Sequence, residues 1–160
     1  VMGLVRAAIS KSVRLQLARP DEPVVVEVES SQVTQIVMNL VINGAEALAD
    51  GTGTVGVSIA VVRAGPADFR ETPWAAELPA GLYARVTVDD TGSGMSAATK
   101  ARIFDPFFST KFTGRGLGLA AVLGILRSHR GAVAVDTTLG RGTSFHVYFP
   151  LCEQSPKLTE

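Results

Sequence analysis

The residues best placed to do chemistry lie in one run, Val86-Thr87-Val88-Asp89-Asp90-Thr91-Gly92-Ser93-Gly94-Met95. Alternating β-branched residues predict a strand that delivers a carboxylate to its end, followed at once by backbone permissive enough for close approach. An ionised Asp only accepts hydrogen bonds, so Asp90 would hold a ligand edge that carries an N–H donor, such as the exocyclic amine of adenine. Guanine presents a carbonyl at that edge and would set acceptor against acceptor, so a single carboxylate can choose the base. Taken alone, D-x-G-x-G is equally a β-turn.

A second set of polar groups lies on one predicted helix. At about 100° per residue, Gln32, Gln35, Asn39, Asn43, Glu46 and Asp50 fall in a narrow stripe on an otherwise apolar segment. A solvent-facing stripe is the competing reading, but solvent faces favour Lys, Arg and Glu, whereas Asn is a poor helix former. Asn43 would then serve as a neutral oxygen ligand to Mg²⁺, supported by Asn39 one turn earlier. A magnesium ion held chiefly by substrate phosphates and waters needs only one or two protein oxygens.

Gly114-Arg115-Gly116-Leu117-Gly118-Leu119 opens the other long helix. Glycines leading into a helix N-terminus expose backbone N–H groups where the helix dipole favours negative charge, which suits a triphosphate; a flexible loop start is the alternative. Just before it, Phe104-Asp105-Pro106-Phe107-Phe108-Ser109-Thr110-Lys111 is too aromatic for a surface loop and too Pro-interrupted for a helix. It reads as a packed hinge whose Phe side chains anchor a mobile lid. Lys111 and Arg115 would either meet phosphate or stand as solvated charges. Gly140-Arg141-Gly142-Thr143 is a hairpin turn that could place the Thr143 hydroxyl near Asp90. His129 and His146 read as structural, and with no further ligand at suitable spacing a zinc site is not expected.

The elements that must position these residues follow from periodicity and punctuation. Residues 1–9 read as the end of a helix. Residues 13–18 and 24–29 alternate around Arg19-Pro20-Asp21-Glu22-Pro23 and predict a hairpin. Ser30 or Ser31 would cap a helix running to Asp50, where Gly51-Thr52-Gly53 stops it. A strand at 54–63 leads into a long connection, 64–81, that holds the only tryptophan. An ordinary surface loop is the reading preferred for it, with a partner contact through Phe69 and Trp74 as the alternative. A strand at 82–88 feeds the glycine run, and Ser96 caps a short helix to Ile103. A helix at 116–129 and strands at 132–137 and 143–149 close the chain, with a frayed tail at 154–160. The division expected is 1–9 as the end of an upstream linker or dimerisation helix, 10–150 as the main domain and 151–160 as the tail.

Composition narrows the classes of function. At 160 residues, 46% hydrophobic and 19% charged, the chain is about one well-packed domain. Fifteen basic residues balance fifteen acidic ones, so nothing points to nucleic acid or an anionic membrane as partner. The single Cys152 cannot form an internal disulfide, which fits a reducing, cytoplasmic compartment. No apolar run reaches the length of a membrane span. The opening Val-Met fits a piece of a longer protein and leaves open whether that protein is membrane-anchored.

Five stretches, in order, resemble the ATP-binding catalytic domain of sensor histidine kinases, in the superfamily with gyrase B, the large heat-shock chaperone and MutL. Residues 35–47, Gln-Ile-Val-Met-Asn-Leu-Val-Ile-Asn-Gly-Ala-Glu-Ala, resemble the N box. Asp90-Thr91-Gly92-Ser93-Gly94-Met95 resembles the first glycine box, and Asp105-Pro106-Phe107-Phe108-Ser109-Thr110-Lys111 the F box. Gly116-Leu117-Gly118-Leu119 and Gly140-Arg141-Gly142-Thr143 resemble the remaining glycine boxes. The run from the F box into Gly-Leu-Gly-Leu-Ala is similar to the nitrogen-regulator type.

The resemblance implies an α+β fold of the Bergerat type: a two-layer sandwich whose mixed sheet is covered on one face by helices. It places ATP against Asp90, Gly92, Gly94, Met95 and Thr143, with Asn43 holding Mg²⁺. Thr110, Lys111 and the run Gly114, Arg115, Gly116, Leu117, Gly118, Leu119 would cover the phosphates. The γ-phosphoryl group would pass to a histidine on the protein's own upstream dimerisation domain, and from there to a response regulator. Gly44 departs from the usual Ala after the Asn. Asn39 stands where hydrolytic relatives carry a Glu that activates water, and phosphoryl transfer by positioning needs no such base. Glu46, on the same face, could assist proton transfer from the acceptor. The alternatives are a gyrase- or chaperone-like ATPase switch and a non-catalytic ATP-sensing module.

Overall fold

The structure, a computed structural model, describes residues 3, 11–48, 51–106, 108 and 118–152. Five strands form one mixed sheet: β1 (Val13–Ala18), β2 (Gly53–Ala64), β3 (Gly81–Asp90), β4 (Ala132–Thr138) and β5 (Gly142–Pro150), in the spatial order β1-β2-β3-β5-β4. Among the described residues only the β1–β2 pair is parallel. A parallel pair needs a crossover, and it is made by α1 (Ser30–Glu46), which packs on β2 and β3 and on α3 (Gly118–Ser128). A single turn, α2 (Ala97–Lys100), follows the glycine run. Among the described residues no helix is long and apolar enough to cross a membrane.

The expected hairpin at 13–18 and 24–29 does not form. Val13–Ala18 is a strand as predicted, but it pairs with β2. The 24–29 segment makes only one bridge, Val26 opposite Leu151, beside the bond from Cys152 N–H to the Val25 carbonyl (3.0 Å). Alternation reports which face is buried, not which strand lies alongside. Here the stretch between β1 and α1 carries the chain from one edge of the sheet towards the end of β5.

α1 forms because most of its circumference is apolar; Ile36, Leu40 and Val41 are fully buried. Its cap is Glu29, not Ser30 or Ser31. The Glu29 carboxylate accepts from Ser31 N–H (3.2 Å) and the Ser31 hydroxyl (2.7 Å), and these bonds hold its pKa below the usual carboxylate value. The helix ends at Glu46, short of Asp50. The Ala47 carbonyl leaves the helical ladder to accept from Ser93 N–H (3.0 Å), so the glycine run and the helix end terminate each other. Residues 49 and 50 lie outside the described set.

The core lies between the helices and the sheet, where Val122 and Leu126 of α3 share one buried cluster with Val133, Val135, Val147 and Phe145. The 64–81 connection is not a plain surface loop. It contains two 3-10 turns, Pro66–Asp68 and Ala75–Glu77, and buries Phe69 (1% exposed), Trp74 (9%) and Leu78 (8%). Phe69 meets the rings of Tyr83 and Tyr148 edge-on at 5.2 and 5.0 Å. Strand register sets these two tyrosines on the face of the sheet away from the helices. Neither Phe69 nor Trp74 is available to a partner; both are core.

Candidate nucleotide site

Strand register places Val55, Asp90, Thr143 and Thr137 in one row across β2, β3, β5 and β4. Three consecutive polar side chains in such a row, at the end of a central strand, need partners once buried. Asp90 and Thr143 are 8% and 6% exposed. Asp90 Oδ1 accepts from Gly92 N–H at 2.8 Å, which orients the carboxylate. The hydroxyls of Thr143 and Thr137 share a hydrogen bond of 2.9 Å, and Thr137 Oγ1 also accepts from Met95 N–H at 2.8 Å.

The glycine run is packed from two sides by the protein's own backbone. A Cβ at Gly92 would lie 2.6 Å from the Ala47 carbonyl oxygen. Gly94 has φ +68°, and a Cβ there would collide with the Thr138 carbonyl. The β4–β5 turn closes over the run through the bond from Gly140 N–H to the Ser93 carbonyl (2.7 Å). These glycines therefore let α1, the 91–95 segment and the β4–β5 turn approach closely enough to form one wall behind Asp90.

α1 supplies the second wall. Gly44 faces β3 so closely that a Cβ there would meet Asp90 Cβ at 3.4 Å and Asp90 Oδ2 at 3.5 Å. Asn43 is its neighbour in the same helical turn and is half-buried. Asn39, one turn earlier, donates from Nδ2 to the Gly118 carbonyl at 3.1 Å, linking α1 to the first residue of α3. The polar stripe is thus divided: Asn39 and Asn43 turn inward, while Gln35 and Glu46 are exposed. Gly118 and Leu119 begin α3, with Leu119 packed against the core. Thr110, Lys111, Gly114, Arg115, Gly116 and Leu117 lie outside the described residues.

Ser96 caps α2 as expected, accepting from Thr99 N–H at 3.2 Å, but the helix stops at Lys100 and residues 101–106 continue as turns. Phe104 and Phe108 pack on the core, and the Arg102 guanidinium lies 4.5 Å from the Phe108 ring centroid. Both histidines are held within the fold. His129 Nε2 accepts from Glu29 N–H (3.1 Å), which puts the proton on Nδ1, facing the Ile125 carbonyl (2.8 Å). His146 bridges Thr87 Oγ1 (2.9 Å) and Asp136 Oδ2 (3.1 Å). The Ala47 carbonyl is a backbone group that leaves no mark in a residue pattern, Gly140 stands out only as part of its turn, and Thr137 is one threonine of a pair in a β-rich stretch.

A buried carboxylate at a strand end, braced by glycines and overlain by an Asn-bearing helix, defines a class of nucleotide-binding fold, and comparison with known proteins agrees. Residues 28–153 match the histidine kinase-, DNA gyrase B-, and HSP90-like ATPase family, and the chain belongs to that family. It is 31% identical over 152 residues to the sensor kinase CckA of Brucella abortus, covering 92% of this chain and 15% of CckA. Its structure superposes on the mycobacterial sensor histidine kinase MprB with a TM-score of 0.72 at 25% identity, covering 94% of this chain and 90% of that one. Full-length ShkA in complex with AMPPNP gives a TM-score of 0.71 at 25% identity, covering 94% of this chain and 30% of ShkA. The relatives named here are sensor kinases, and the chain spans only a small part of the length of CckA and of ShkA.

Proposed function

We propose that this domain binds Mg-ATP with the adenine amine on Asp90 and supplies the γ-phosphoryl group to a histidine carried by a separate dimerisation domain, which then passes it to a response regulator. The observation that carries the reading is Asp90 itself. It is a buried carboxylate fixed by Gly92 N–H at the mouth of a central strand, with Asn43 one residue from its contact on α1. The similar full-length ShkA is in complex with AMPPNP, which supports a nucleotide as the ligand here.

Among the described residues no three His, Cys, Asp or Glu side chains come together to hold a metal, so no protein cage for a cation exists there. The half-buried Asn43 amide suits Mg²⁺ held mainly by phosphates and water, a mode that asks for few protein ligands. When bound, the ion would neutralise charge on the β- and γ-phosphates. Gly92, Gly94, Met95 and Thr143 would shape the adenine wall, and residues 110–119 would cover the phosphates. Residues 1–9 would join the domain to its upstream partner, and residues 153–160 would form a tail, since Leu151 and Cys152 are tied to Val26 and Val25.

Asn39 bears on the choice between kinase and ATPase. Its amide is used to hold the Gly118 carbonyl, and neutral Asn is no base for water. Glu46 is exposed, so it is open to a proton relay only once an acceptor domain docks. The test is labelled ATP with the chain alone and with a tethered helical domain carrying the acceptor histidine, which raises its effective concentration. Acid-labile label on the helical domain alone is expected. Phosphate release without such label would favour the ATPase switch. Acid-labile label on the isolated chain, lost in His129→Ala or His146→Ala, would overturn the external acceptor.

A further inference from the structure

β4 is an edge strand, and its outward backbone groups are occupied by side chains rather than by a sixth strand. The Thr72 hydroxyl bridges Val133 N–H (2.8 Å) and the Val133 carbonyl (2.9 Å). Trp74 Nε1 donates to the Gly131 carbonyl (2.9 Å), and Glu71 Oε2 accepts from Val135 N–H (2.7 Å). The 64–81 connection is therefore a strap along the open edge. One member of the strap reaches further. Glu71 Oε1 pairs with Lys100 Nζ at 3.0 Å, with the two side chains 15% and 30% exposed.

Lys100 ends α2, a single turn too short to persist without tertiary support. The segment between Asp90 and Lys100 is fastened to β4 at two places, by Met95 N–H on Thr137 and by Lys100, through Glu71, on Val135. Thr137 and Val135 lie on β4 with one residue between them. The front of the segment is the Gly92 N–H that orients the Asp90 carboxylate. We propose that Glu71, outside every nucleotide-site motif, is a positioning residue for the nucleotide site: its two oxygens join β4 to α2 and so hold the 91–100 segment against Asp90. The proposal rests on the nucleotide reading of Asp90. The carboxylate is required because it has one oxygen for each partner and a charge for Lys100. Glutamine has one acceptor oxygen and no charge.

The experiment compares wild type, Glu71→Gln, Lys100→Met, the double variant and Asp90→Ala in the full chain. It reads melting temperature, backbone hydrogen exchange without ligand, and ATP affinity by calorimetry. Glu71→Gln should keep Val135 N–H bonded and shift the melting temperature by no more than about 2 °C. Exchange at amides 95–101 should quicken about tenfold, and the ATP Kd should rise about three- to tenfold. Lys100→Met should match it, and the double variant should add nothing further, as two ends of one link must. Wild-type exchange and Kd in Glu71→Gln would overturn the proposal, as would simple additivity in the double variant. If Asp90→Ala binds ATP like wild type, the nucleotide reading fails with its affinity arm, and unchanged exchange in Glu71→Gln separately refutes the link itself.

Discussion

Gly44→Ala gives the sharpest check on how α1 lies over β3. Gly44 is buried within the helix, and a Cβ built there meets Asp90 Cβ at 3.4 Å, Asp90 Oδ2 at 3.5 Å and Val55 Cγ2 at 3.5 Å. All three are van der Waals contacts, so the methyl fits with little adjustment. Glycine in a helix interior costs about 0.5–1 kcal/mol relative to alanine, through the backbone freedom lost on folding. The methyl can add up to about 0.8 kcal/mol of burial, part of it offset by crowding the carboxylate. The net expectation is a gain of about 1 kcal/mol, which for a domain of this size raises the melting temperature by about 2–4 °C. Thermal melts and urea titration read it directly. ATP affinity should stay within about threefold of wild type, because a 3.5 Å contact leaves the oxygen reachable. A lower melting temperature would refute the packing derived for α1. A stabilised protein that no longer binds ATP would show that the ligand needs the space Gly44 leaves.

Asn39→Asp replaces the donor to the Gly118 carbonyl with an acceptor, so urea unfolding should show a loss of about 1–3 kcal/mol, with no phosphate release gained. Unchanged stability would mean that the α1–α3 link carries nothing. The Asp136 carboxyl is held below its ordinary value of 3.8, first by the Arg70 hydrogen bond and then by charge and by His146. A depressed folded pKa contributes stability above the unfolded value that is lost as pH falls through the folded one. Asp136→Asn should therefore lower the melting temperature slightly at pH 7, by about 1 °C for so exposed a pair, with the gap closing in strong acid. A gap that widens on acidification would contradict the sign.

Asp90, Asn43 and Thr143 stand out in the sequence because a carboxylate after alternating β-branched residues, or an amide on an apolar helix, is anomalous where it stands, although their roles await test. The strand register then set Asp90 opposite Thr143, as the turn chemistry suggested. What was illegible depended on partners far along the chain. Residues 24–29 alternate like a strand, yet β1 found its partner in β2, some forty positions later. Phe69 and Trp74 lay in a Pro-containing stretch without periodicity, so the burial of Phe69 against the outer-face tyrosines and of Trp74 beside the edge at β4 left no pattern. Glu71 and Thr72 bond to backbone about sixty positions away, and no spacing rule reaches that far.

The central claim is that one buried carboxylate selects adenine, and calorimetric titration with Mg-ATP and Mg-GTP, in wild type and Asp90→Ala, tests it most directly. Losing a charge-assisted hydrogen bond in a buried site costs about 1.5–3 kcal/mol, or roughly ten- to a hundredfold in affinity. Wild type should favour ATP over GTP by at least that factor, and Asp90→Ala, verified as folded by circular dichroism, should bind ATP correspondingly more weakly. Equal ATP affinity in the two folded proteins, or equal affinity of wild type for ATP and GTP, would contradict the account.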